Sequence, residues 1–424
     1  MNPFHGDAVV RALLLAVCLT ACSGSDAPPT THSDAACTPM AVTRSATGYA
    51  LQPFCAPSDP GRGNIWFAAS GEVLALTGYA FPPASDSDAA FVDGWDVRFS
   101  RLLTTIDKIT LSENPDLQRG TQAQTGKQVA QVDGPWAVDL SHPDASYLPG
   151  KGGAGEQAVP IAALTSQNQN GGQPFATDGT RYAFGFDVTA ATNDAQNVNL
   201  DPEALADYQQ MVASGCAVLY VGTATFKGDP KLPGCVTDES SSWPKTVDFR
   251  LCFKSPTSYV NCQNPDNDPA QPISDDEESE RGIAFLSSGS VIAQVTLHTD
   301  HPFWDSVLHD SPAHFDQFAA RAVASSSGAL VTLEDTRGAD FTAYTDAQGN
   351  PIDWRYCVEP PTDVHPKLTG AMRFDPQGVT SATSDDPSSG LRDYYDFATY
   401  NQSTQGHLNS DGLCFVRRNY PSPN

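Results

Sequence analysis

Positive charge is scarce in this chain. Lys plus Arg come to 24 against 50 Asp plus Glu over 424 residues, a formal net charge of −26. A surface of that sign repels phosphate backbones and anionic lipid headgroups, so nucleic acid is excluded as a partner and a basic membrane-docking face is absent. Cations are attracted instead. No CxxC pair occurs, and a zinc ribbon or thioredoxin-like redox site would need one. HExxH, GxSxG and the phosphate-binding P-loop are missing too, so zincin peptidase, serine hydrolase and NTPase chemistry lack their motifs. No internal repeat is found. Near the N-terminus the apolar run Ala12 to Leu19 is eight residues long, too short to cross a bilayer as a helix.

That run has the length of the apolar part of a signal peptide. It ends in Leu19-Thr20-Ala21-Cys22, followed by Ser23-Gly24-Ser25-Asp26. The four residues resemble the lipobox of bacterial lipoproteins. The resemblance implies cleavage before Cys22, a lipid on its sulfur, and anchorage in the bacterial cell envelope, at the outer membrane, periplasmic or surface face. Residues 1–21 then read as the signal. Residues 22–60 read as a lipid-anchored tether, since Ser23 to Ala36 is rich in Ser, Thr, Pro and Asp with almost nothing to bury.

Export makes disulfides available. With Cys18 in the signal and Cys22 lipidated, eight cysteines remain: Cys37, Cys55, Cys216, Cys235, Cys252, Cys262, Cys357 and Cys414. An even number in an oxidising compartment suggests four disulfides. Pairing of sequence neighbours is the expectation: 37 with 55, 216 with 235, 252 with 262, and 357 with 414.

Pro and Gly contribute 33 each, which suits many short strands joined by turns. The fold expected is mainly β, with antiparallel sandwich-like sheets, a few short helices and disulfide staples. A β-rich domain covers 61–200, and a second β-rich part, 201–424, carries the histidines discussed below. In the first, Ile65 to Phe67, Glu72 to Leu76, Trp95 to Phe99, Leu103 to Leu111, Trp136 to Leu140 and Arg181 to Thr189 read as strands. Gly150-Lys151-Gly152-Gly153-Ala154-Gly155 matches GxGxxG formally, but Pro149 and Pro160 flank it, and it reads as a loop without a nucleotide. Asp201 and Pro202 start a helix running to Ala213. In the second part, Ala217 to Phe226 and Val247 to Phe253 read as strands. The acidic loop from Cys262 to Glu280 lacks EF-hand spacing, so calcium is a weaker expectation than a solvated charged loop.

The chemistry concentrates downstream. Four of the nine histidines, His298, His301, His309 and His314, fall within seventeen residues, interleaved with Asp300 and Asp305. Neutral imidazole with carboxylate suits zinc or copper. Val291, Ala293, Val295 and Leu297 form the apolar face of a strand, which puts Gln294, Thr296 and His298 on the other face. Pro302 opens a short helix on which Asp305 and His309 stand four apart, and Ser311-Pro312 starts a second helix with His314 in its first turn. His298-Thr299-Asp300-His301 resembles the second half of the metallo-β-lactamase signature His-x-His-x-Asp-His, with Thr296 where the first histidine would be and no Gly-Gly after it. The likeness spans four residues and supports metal-like spacing, not the hydrolase activity. His407 could join as a fifth contributor after folding; taken alone it reads as a loop residue.

Three classes compete: a metal-binding or delivery lipoprotein working with an envelope partner, a structural or adhesion lipoprotein without metal, and a metal-dependent hydrolase with Asp300 or Asp305 as base.

Overall fold

The computed structural model describes residues 43–45 and 48–50. From 64 to 420 it describes all but 86–87, 119, 144–146, 165–173, 237–239, 268–276, 288–289, 306–310, 326–327, 340–354, 359–390 and 392. Cys22, Cys37, Cys55 and His309 lie outside the described residues.

The described residues are mainly β, with two large mixed sheets and a separate antiparallel pair of short strands, Thr43–Ser45 and Gly48–Ala50. The larger has twelve strands, eight of which run in the order Val323–Ser325, Gly328–Thr332, Thr246–Phe253, Val218–Phe226, Trp95–Ser112, Arg181–Val188, Thr257–Val260 and Phe415–Arg418. The smaller has six, in the order Gly412–Leu413, Gly406–Leu408, Ser290–Leu297, Asn64–Ser70, Gln157–Leu164 and Leu148–Pro149. Each sheet contains strands from both sides of residue 200.

One apolar cluster joins the two sheets. Ile65, Phe67, Val295 and Leu297 from the smaller meet Leu102, Ile106, Phe184 and Tyr220 from the larger, and the Phe67 and Phe184 rings lie 6.0 Å apart. The central strand Trp95–Ser112 is buried on both faces where Leu102 and Leu103 are each 0% exposed. Leu102 faces the inter-sheet core, whereas Leu103 packs under the helix Pro202–Ser214 with Tyr208 and Met211. That helix starts as its sequence demands, with Asp201 accepting the Ala204 N–H and Pro202 in the first turn, and it ends at Gly215 in the left-handed conformation.

Several local readings change. Glu72–Thr77 is a short helix, not a strand; Ser70 Oγ takes the Glu72 N–H at 2.9 Å and turns the chain out of the sheet. Gly150 to Gly155 is a loop as expected, and Gln157–Leu164 after it adds a strand beside Asn64–Ser70 and accommodates Pro160 at a register shift. Instead of a helix carrying Asp305, the chain makes a single 3₁₀ turn, His301–Phe303. The next helix is Asp316–Ala319, and Ser311-Pro312 does not start it. Its cap comes from elsewhere: the Asp93 carboxylate accepts the N–H groups of Phe315 and Asp316 at 2.6 and 2.8 Å.

Disulfides link Cys216 to Cys252, Cys235 to Cys357 and Cys262 to Cys414, not sequence neighbours. Strand register explains the last of them, since Val260 stands opposite Phe415 in an antiparallel pair and Cys262 and Cys414 flank that pair.

Candidate metal centre

Two parallel strands end together. Ser290–Leu297 and Asn64–Ser70 keep register up to Thr296 opposite Ser70, and just beyond that point the chains continue to His298 and to Glu72. Parallel pairing therefore brings residues from distant parts of the sequence to one sheet end. On its other side Ser290–Leu297 pairs antiparallel with Gly406–Leu408, which sets His407 directly opposite Thr296. Opposed residues share a face, and His298 lies two positions beyond Thr296 on that same face. His301 returns from the 3₁₀ turn that follows.

These three histidines form one group. Each offers a ring nitrogen, and the three nitrogens all lie within 4.8 Å of one another. The rings of His298 and His407 stack with centroids 4.1 Å apart, and His301 stands edge-on to them at 5.3 and 5.5 Å. Tetrahedral zinc with bonds of about 2.0 Å would hold nitrogens about 3.3 Å apart.

The surroundings orient the rings. Thr404 Oγ donates to the Asn401 carbonyl, so at 2.7 Å it accepts from His301 Nδ1–H. That fixes the tautomer and leaves the Nε2 lone pair to face the group. The His301 ring also lies 3.7 Å from the indole of Trp304, whose Nε1–H donates to Asp300 at 3.1 Å. Asp300 thus holds the aromatic wall of the site. Behind His407, Thr296 Oγ accepts from Gln294 Nε2 and from the Ser410 N–H, and Gln294 Nε2 also reaches Glu156. Asn409 exchanges hydrogen bonds with the Gln294 backbone and donates its amide to Asn264.

A second group overlaps the first. His298 Nε2 lies 3.5 Å from a Glu72 oxygen, 3.9 Å from an Asp411 oxygen and 3.0 Å from the Ser410 carbonyl. Glu72, His298 and Asp411 again offer three donor atoms within 4.8 Å of one another. Glu72, Asn409 and Ser410 all have left-handed backbone, with φ of 62°, 53° and 77°. Side chains other than Gly adopt that region at a cost, and such strain gathers where a site needs it.

The electrostatics of the two groups are unusual. Burial pushes the Glu72 carboxyl up to about 7, and Asp300, Asp411 and Glu156 add to the rise against the opposing effect of His298. Burial works against charge on His298, but Glu72, Asp300, the Ser410 carbonyl and Asp411 outweigh it and raise its pKa above the ordinary histidine value. Negative potential is focused on one imidazole.

Asp305 and His314 lie elsewhere. His314 Nε2 is 3.2 Å from Asp305, its Nδ1 is 3.9 Å from Asp93, and all three side chains are buried. Asp316 accepts from Trp95 Nε1 and pairs with Arg355, which reaches the Cys235 carbonyl beside the Cys235–Cys357 disulfide. Burial, with Asp316 adding to it, lifts the Asp93 pKa well above the usual carboxylate range despite Arg355. His314 presents different nitrogens to its two carboxylates, so this is a buried side-chain network and not a set converging on one point. The sequence cluster therefore divides between two places. His407, which the sequence offers only as a contributor after folding, is set beside His298 by the register against Thr296.

Among the described residues no helix is long and apolar enough to cross a membrane. The chain matches no protein-family model, no curated protein and no solved structure.

Proposed function

We propose that this is an envelope-anchored lipoprotein that binds a transition-metal ion, zinc or copper, through His298, His301 and His407. The observation that carries the reading is the convergence of three imidazoles from a strand end, a turn and a facing strand, their nitrogens within 4.8 Å. Every cysteine among the described residues is in a disulfide, so among those residues the ligands on offer are imidazole and carboxylate. Three protein ligands leave one position on a tetrahedral ion, which suits exchange with a partner in metal transfer. The lipid expected on Cys22 would keep such a carrier at the membrane, where the tether gives it reach.

The test is metal analysis of the full chain, purified in detergent after exposure to zinc and to copper, beside a His298→Ala/His301→Ala variant. About one ion per wild-type chain and none in the variant is the expected result. A wild-type chain free of both metals after that exposure overturns the proposal.

A further inference from the structure

We infer that Glu72, His298 and Asp411 form an outer docking position through which a divalent cation enters and passes to His301 and His407. The inference rests on the metal-binding reading above and adds a route to it.

The two donor groups share His298 but differ in chemistry and access. Asp411 is 67% exposed and Glu72 19%, while His301 and His407 are at most 1% exposed. Oxygen donors thus stand at the mouth, with nitrogen donors inside. A hydrated divalent ion exchanges water for carboxylate oxygen readily, and borderline ions such as zinc then prefer imidazole. His298 can serve both steps. Its Nε2 faces the two carboxylates and the Ser410 carbonyl, while its ring stacks on His407.

The walls leave this as the open side. Gly152 closes against the turn so tightly that a Cβ there would meet Ser410 Oγ at 2.8 Å and Glu156 Oε2 at 2.7 Å. The Lys151 ammonium is drawn away to Asp266 at 2.6 Å and does not neutralise the mouth. Trp304 covers His301 on the other flank. Among the described residues, what remains is the approach past Asp411, beside Glu72 and under the field of Asp300, Glu156 and Asp411. Charge of one sign in a cleft speeds the encounter with an opposite charge, by about tenfold or more at low salt.

The experiment measures the rate of zinc uptake by the full chain against a chromogenic chelator, at several salt concentrations. It compares wild type with Glu72→Gln/Asp411→Asn and with Asp411→Asn alone, whose exposed side chain can change without disturbing the core. The expected result is a second-order uptake rate lower by about tenfold or more in the double variant, with a flatter salt dependence, and zinc still in place at the end. The single variant slows in the same direction. Unchanged rates overturn the inference. So does an end state without zinc in the double variant, because those carboxylates would then be ligands of the final site. A wild-type chain that takes up no zinc or copper fails at the earlier step, and that result is told apart by needing no variant.

Discussion

His301 Nδ1 and Thr404 Oγ lie 2.7 Å apart, and Thr404 is already committed as a donor to Asn401. The contact therefore holds His301 in one tautomer and one orientation. Such outer contacts are worth about 10–100-fold in metal affinity. Thr404→Val keeps the shape and removes the acceptor, so zinc affinity measured by chelator competition should fall by about that range. The loss of stability from the stranded N–H should stay near 1–3 kcal/mol. Unchanged affinity would mean that His301 is not a ligand.

The metal-free protein should be more stable at pH 5 than at pH 8. Glu72 holds its proton to about 7 in the fold, against 4.5 ordinarily. Between those values the folded state binds more protons than the unfolded one. Its favourable contribution is complete below about 4.5 and lost as pH rises through about 7. His298 acts in the same direction, since its pKa is raised: its contribution is present below 6.5 and lost above the folded value. The Glu72 share is at most about 3 kcal/mol. Thermal melts of chelator-treated protein across this range should show a falling Tm, and Glu72→Gln should flatten the curve. A Tm that climbs from pH 5 to pH 8 contradicts the assignment.

What the sequence made legible follows periodicity. Val247, Phe249, Leu251 and Phe253 alternate with less buried neighbours, and the strand Thr246–Phe253 buries those four. Asp201-Pro202 starts its helix where capping chemistry says it must. His298 at a strand end and His301 after it could be read from alternation and Pro302. Glu72 and His407 could not. The first depends on a parallel pairing and the second on an antiparallel one, and both are long-range choices that local pattern does not encode. His407 stands opposite Thr296, and that register alone sets its ring beside His298. The cysteines failed for the same reason. Closeness in sequence is a poor guide when strand order decides which thiols meet.

The Cys262–Cys414 disulfide closes the longest of the three loops, 152 residues, and sits beside the turn carrying Ser410 and Asp411. Gln263 also donates its N–H to Leu413 at 2.8 Å. Removing a bridge of this kind costs about 2–5 kcal/mol. A Cys262→Ser/Cys414→Ser variant should lose stability by that amount in denaturant melts and bind zinc more weakly, because the mouth of the site loses its tether. Proteolysis without reductant should recover peptides joined as 216–252, 235–357 and 262–414. Fragments joined between sequence neighbours would contradict the register described here.

His314 and His407 are both buried histidines near the chain's sheets, yet they should fail in opposite ways. His314 sits between Asp305 and Asp93, in a network that includes the Asp316–Arg355 pair and the cap of the helix Asp316–Ala319. Its loss leaves two buried carboxylates without a shared partner, which costs about 1–3 kcal/mol or more, the higher end applying to charged groups. His314→Ala should therefore lower Tm clearly and leave zinc stoichiometry alone. His407 faces Thr296 and stacks on His298 in the three-histidine group. His407→Ala should abolish tight zinc binding in metal analysis. Its effect on the metal-free Tm should be the smaller of the two. If His314→Ala removes the metal and His407→Ala does not, the centre lies at the Asp305–His314 network and the assignment of ligands made from the strand register is wrong.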